Sequence, residues 1–134
     1  MGVQPGPRTV RGEGTTGHGH YADKELAYAY LKQKNIEKAF EHATTEYDRR
    51  PDNIDVCETL AWVNYHKGNF SEANTLINKA LKTNSTNPVL LCRAGLIKIK
   101  AGEVAKGKIF IKKAMGINPF VDADLKKEVS PYLS

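Results

Sequence analysis

From His20 onward, apolar side chains recur at steps of three and four residues, the spacing of one face of an α-helix. Phe70, Ala73, Ile77, Ala80 and Leu81 make one such stripe, and Leu60, Ala61 and Tyr65 mark another in the segment before it. Short polar breaks interrupt the stripes at Lys34-Asn35, Gly68-Asn69 and Gly102. The pattern predicts helices over 21–33 and 36–49, over 54–67 and 70–82, and over 88–101 and 104–116. Asn87 reads as an N-cap, since its short amide can accept from the unpaired N–H groups of a first turn, and Pro88 behind it has no N–H to leave unpaired. After Pro119, Asp122 reads as the N-cap of one more helix through Ala123 to Val129.

The breaks and stripes are themselves periodic. Gly68 and Gly102 stand 34 residues apart, and the same step links Ile36, Phe70 and Val104. It also links Ala27, Ala61 and Gly95, then Ala39, Ala73 and Gly107, and it joins Ala80 to Ala114. Three helix-pair units, 20–53, 54–87 and 88–121, therefore follow one another without insertion. The columns of small residues let the two helices of a pair approach closely, and a larger side chain there would cost about 1–3 kcal/mol through overpacking. One unit alone cannot bury its apolar stripe, so neighbours stack and a last helix, within 122–134, covers the open end.

This arrangement resembles the tetratricopeptide repeat (TPR) family. Ala61, Tyr65, Gly68, Phe70, Ala73, Ala80 and Leu81 carry the resemblance in the second unit, with their counterparts at each 34-residue step. Three positions depart from the family pattern. Glu46 stands where a small residue is usual, which loosens the first unit or marks it as terminal; Asn64 and Lys98 occupy a column that favours an aromatic, which only Tyr30 supplies. The expected fold is all-α: a right-handed superhelical solenoid of three helix-turn-helix pairs with a C-terminal capping helix.

The resemblance implies a concave face lined by the first helix of each pair, where this family holds peptides. By register, the first unit presents Tyr21, Lys24, Tyr28, Leu31 and Lys32 to it, and the second presents Asp55, Glu58, Trp62, Tyr65 and His66. The third presents Val89, Cys92, Arg93, Leu96, Ile99 and Lys100. Trp62, Tyr65 and Tyr28 are the expected anchors, because large aromatic side chains bury much area at little entropic cost. Lys24, Arg93, Asp55 and Glu58 would set orientation and charge register. Some family members clamp a C-terminal carboxylate with Lys, Asn and Arg side chains. Here Lys24 and Arg93 match clamp columns, whereas Tyr28, Thr59 and Val89 do not, so binding of chaperone tails in that manner is not expected.

Composition narrows the function classes. No run of the chain approaches the ~18 to 20 apolar residues of a spanning helix, and no secretory signal pattern opens it, so an integral membrane protein is excluded and no membrane partner is expected. Two cysteines cannot build a disulfide framework, and Cys57 and Cys92 come singly, with no C-x-x-C. The expected class is a soluble, cytoplasm-compatible single domain behind a Gly/Pro-rich stretch, 1–19, that reads as a flexible leader or linker. The net charge of +5 is local: residues from Pro88 onward hold nine Lys/Arg against four Asp/Glu, and the rest is neutral. Lys106, Lys108, Lys112 and Lys113 fall on the outer face of the sixth helix, with Lys126 and Lys127 on the cap. They could meet phosphates, but no aromatic platform interleaves with them, so nucleic acid is disfavoured as a partner.

Cofactors and metals are not expected. His18 and His20 lie in the Gly-rich stretch without the four-ligand spacing of a zinc site, and the glycines at 12–19 lack the Lys-Ser/Thr ending of a phosphate loop. His42 and His66 sit on different helices with no nucleophile or carboxylate at a matching register, so no catalytic set is expected and the chain does not read as an enzyme. The function this supports is a protein–protein interaction module with a groove for a partner protein or peptide. The alternatives are a structural scaffold that stacks on other repeats, by self-association through the repeat ends or as the C-terminal part of a longer repeat protein, and nucleic-acid contact through the lysine face.

Overall fold

The computed structural model describes residues 19–83 and 86–133, with side chains described from Asp23 onward. The Gly/Pro-rich leader before residue 19, with His18, lies outside the described residues. Six helices of these described residues form three antiparallel pairs: α1 (Gly19–Lys32) with α2 (Ile36–Arg49), α3 (Ile54–Lys67) with α4 (Phe70–Leu81), and α5 (Pro88–Lys100) with α6 (Val104–Ile117). Helix α7 (Ala123–Val129) and a single 3₁₀ turn (Ser130–Tyr132) close the order. The pairs pack on one another as a helical solenoid, and the described residues contain no strand.

Local chemistry sets the helix ends. The side chains of Asn53, Asn87 and Asp122 accept hydrogen bonds from first-turn N–H groups of α3, α5 and α7. Gly68 and Gly102 end α3 and α5 at φ +90° and +100°, the left-handed region open to glycine. The first pair turns at the same column with Lys34, at φ +65°. There a side chain is forced into a conformation that costs an L-residue roughly 1–2 kcal/mol.

The core runs along the stack. Ala27, Ala39, Ala61 and Ala73 are fully buried where their helices cross, and in the third pair Gly95 and Gly107 hold those columns. A Cβ built on Gly107 would lie 2.5 Å from the carbonyl oxygen of Gly95 and 2.6 Å from Ile99 Cγ1. The third pair is thus closed more tightly than a methyl group on either helix allows.

The departures from the repeat pattern have partners. Buried Glu46 accepts hydrogen bonds from Arg49 at 3.1 Å and Arg50 at 3.5 Å. Buried Asn64 donates to the Leu60 carbonyl. Lys98, also buried, donates to Asn74 Oδ1 at 2.9 Å and Asn78 Oδ1 at 2.7 Å, tying α5 to α4. Burial lowers the Lys98 pKa below the usual lysine value, against the pull of Glu103 at 3.9 Å.

Candidate functional site

Arg93 is the centre of the concave side. It projects from α5, where it donates to Glu58 Oε2 of α3 at 2.6 Å and to the Tyr28 hydroxyl of α1 at 3.0 Å. Its guanidinium lies 4.8 Å from the Tyr28 ring centre and 5.5 Å from that of Trp62. Tyr65 stacks against Trp62, with ring centres 4.6 Å apart, and His66 meets Trp62 edge-on. One side chain of the third pair therefore joins the first helices of all three. Burial raises the Glu58 carboxyl pKa above its ordinary value although Arg93 pulls it down. Burial raises the Tyr28 hydroxyl too, again with Arg93 opposing.

Above this cluster opens a groove of about 730 Å³. Its floor and near wall come from Tyr28, Leu31, Lys32 and Lys34 of the first pair, with Trp62, His66, Val89 and Arg93. The far wall is α7, through Asp122 (its N-cap), Asp124, Leu125, Lys127 and Glu128. Leu125 and Val129 anchor α7 in the core, and the Tyr65 hydroxyl donates to Glu128 Oε1 at 3.3 Å. Burial raises the Glu128 pKa, and burial together with the Glu128 charge raises that of Tyr65. The groove thus sets Lys32 and Lys34 on one wall against three carboxylates and Lys127 on the other, a wall that is acidic on balance.

Of the residues that register assigns to the groove, Tyr28, Leu31, Lys32, Trp62, His66, Val89 and Arg93 line it. Others do not. Leu96 is 2% exposed and belongs to the core, because its column runs deeper at the third pair than at Tyr28. Ile99 turns towards α6, its Cγ1 against Gly107. Trp62 reaches the groove but is only 6% exposed, covered by Tyr65 and Arg93, so it is a floor and not the protruding anchor expected. Glu58 and Arg93 are spent on each other, and Tyr65 on Glu128. Cys92 is buried, its thiol pushed up to about 11. Lys24 stands 3.9 Å from exposed Asp55, and Lys100 is exposed; none of the three is in the groove lining. Tyr21 lies in α1, but its side chain is outside the described residues.

The groove residues that register missed are Lys34 and the whole α7 wall. A signal existed for both. Lys34 is one 34-residue step before Gly68, and the same step from Pro88 lands on Asp122, placing α7 where a fourth first helix would face the groove. The spacing also hides a carboxylate for His42, whose Nδ1 lies 2.8 Å from Asp23 Oδ1, with Arg49 on the second Asp23 oxygen at 3.0 Å. That cluster ties α1 to α2. Among the described residues, no group of three or more His, Cys, Asp or Glu is placed to hold a metal ion.

No protein-family model matches the sequence, and no curated protein matches it. Solved structures do. The second TPR domain of human RPAP3, in complex with the HSP70 peptide SGPTIEEVD, aligns over 87% of this chain and 96% of its own at a TM-score of 0.66 and 16% identity. The Yersinia enterocolitica type III secretion translocator chaperone SycD aligns over 88% of this chain and 91% of its own, at 0.68 and 14%. The chain has the tetratricopeptide-repeat fold. A mutant O-GlcNAc transferase from Thermobaculum terrenum matches over 80% of this chain, at a TM-score of 0.70 and 18% identity. This TPR chain spans 21% of that enzyme's length.

Proposed function

We propose that this TPR solenoid is a non-enzymatic interaction module whose concave groove holds an extended segment of a partner protein. The supporting observation is the groove itself, with half-buried apolar Leu31 and Val89 over buried Leu125, between a basic wall and a mainly acidic one. Exposed polar and apolar groups converging in one concavity are what a peptide site requires. The opposed walls favour a segment that carries both charge signs, acidic towards Lys32 and Lys34 and basic towards Asp122, Asp124 and Glu128. Arg93 acts here as a strut through Nη1, which donates to both Glu58 and Tyr28, while its buried Nε has no hydrogen-bond partner. The RPAP3 domain of the same fold holds an acidic chaperone-derived peptide. For this chain the mixed walls suit a mixed-charge ligand better than a clamped carboxylate.

Selection from a displayed random-peptide library tests the reading, with wild type compared against Leu31→Asp and Val89→Asp, both half-buried positions at the groove. Sequences of mixed charge that wild type retains and both folded variants lose are expected. A library that yields no wild-type binder, or binders indifferent to both substitutions, refutes it.

A further inference from the structure

Of the five large apolar side chains that stand exposed among the described residues, four lie in one short stretch: Val104, Ile109, Ile117 and Phe120. Ile109 is 66% exposed and Phe120 is 85% exposed. At 100° per residue, Ile109, Ala105 and Gly116 share the outward line of α6. Lys106 and Lys113 flank that line on one side, and Lys108 and Lys112 flank it on the other. All four are exposed, and among the described residues only Lys106 meets an acid, Glu103 at 3.7 Å. Phe120 projects from the turn after α6, with Lys126 Nζ 5.8 Å from its ring centre.

We propose that this outer face, α6 with the turn at Asn118–Phe120, docks on an anionic membrane surface. The sequence pattern alone points to no membrane partner, and no described helix is long and apolar enough to cross a bilayer. A peripheral contact needs neither. It needs protruding apolar groups that enter the interface and cations beside them that meet the headgroups, and this convex face supplies both. A second copy is opposed by the like charge of the two lysine rows. A nucleic acid would use the lysines but draw nothing from Ile109 and Phe120.

The test is co-sedimentation of the full chain with vesicles of phosphatidylserine and phosphatidylcholine, against phosphatidylcholine alone. Wild type should bind only the anionic vesicles. Each lysine near the surface is worth about fivefold, so Lys112→Ala/Lys113→Ala should lose roughly 25-fold. Phe120→Ser should lose about tenfold at unchanged charge, and Ile109→Ser should also weaken binding. These side chains are exposed, so circular dichroism should show all variants folded. Absence of wild-type binding at low salt overturns the proposal in favour of an acidic protein or no partner. Binding that falls with the lysines but not with Phe120 or Ile109 overturns it in favour of a simple polyanion, which DNA would then compete for.

Discussion

Two glycines of α6 should respond to the same substitution with opposite signs. At Gly107, the new methyl of an alanine would stand 2.5 Å from the Gly95 carbonyl oxygen, about 0.9 Å short of the 3.4 Å where ordinary contact begins. The obstacle is backbone, which cannot rotate away, so α5 and α6 must part and loosen Ile99 and Ile111 with them. Overpacking of this kind costs about 1–3 kcal/mol, while replacing a helical glycine by alanine returns about 0.5–1 kcal/mol. With backbone as the obstacle the cost falls at the upper end, about 2–3 kcal/mol, so the net for Gly107→Ala is a destabilisation of about 1–2.5 kcal/mol, a fall in Tm of roughly 4–20 °C for a domain of about 100 residues. At Gly116 nothing lies within 4 Å of the new methyl. Gly116→Ala should therefore stabilise by about 0.5 kcal/mol, the position being one residue from the helix end. Urea melts followed by circular dichroism measure both, and each variant loses the same unfolded-chain freedom, so the difference reports the native packing. A Gly107→Ala protein as stable as wild type would refute the tight crossing.

Three further outcomes follow from the structure. Arg93→Ala strands the buried Glu58 carboxylate and should destabilise the fold by about 3 kcal/mol or more, with Glu58→Gln on top recovering much of the loss; urea melts of the two variants check this. Lys34→Gly should raise stability by about 1 kcal/mol, since it relieves a left-handed φ at the turn where the other two pairs carry glycine; a lower urea midpoint would contradict it. His66 has a pKa lowered by burial, then by Lys34 and Arg93, so the unfolded chain takes up its proton first. Stability should accordingly fall as pH drops below about 6.5 towards the lower folded pKa, and His66→Gln should flatten that part of the profile. Glu58 and Glu128, both raised, act in the opposite sense: what they contribute is present below the ordinary carboxylate range and is lost as pH rises through their folded pKa values.

The helices were legible because their signals are local and repeated: Asn53, Asn87 and Asp122 cap where the stripes begin, and Gly68 and Gly102 end helices where a left-handed residue is needed. Lys34 escaped because nothing in its chemistry announces a positive φ; only the 34-residue step does. The odd residues were visible as departures, but their resolution was not, since Lys98 finds Asn74 and Asn78 across a helix interface that spacing cannot define. For the groove, periodicity tells which face a residue shares and not how deep it lies. Trp62 and Leu96 share a column with Tyr28 and sit lower in the core. The α7 wall depended on how far the last helix folds back, which Leu125, Val129 and the Tyr65–Glu128 bond determine in three dimensions.

The most direct measurement of the central claim is a titration of the ¹⁵N-labelled chain with a mixed-charge peptide taken from the library selection, followed by amide chemical shifts. The groove reading predicts saturable shifts at Leu31, Lys34, His66, Val89 and Leu125, with Ile109, Lys112 and Lys113 unmoved. Shifts confined to the outer face of α6, with the groove amides still, would contradict it.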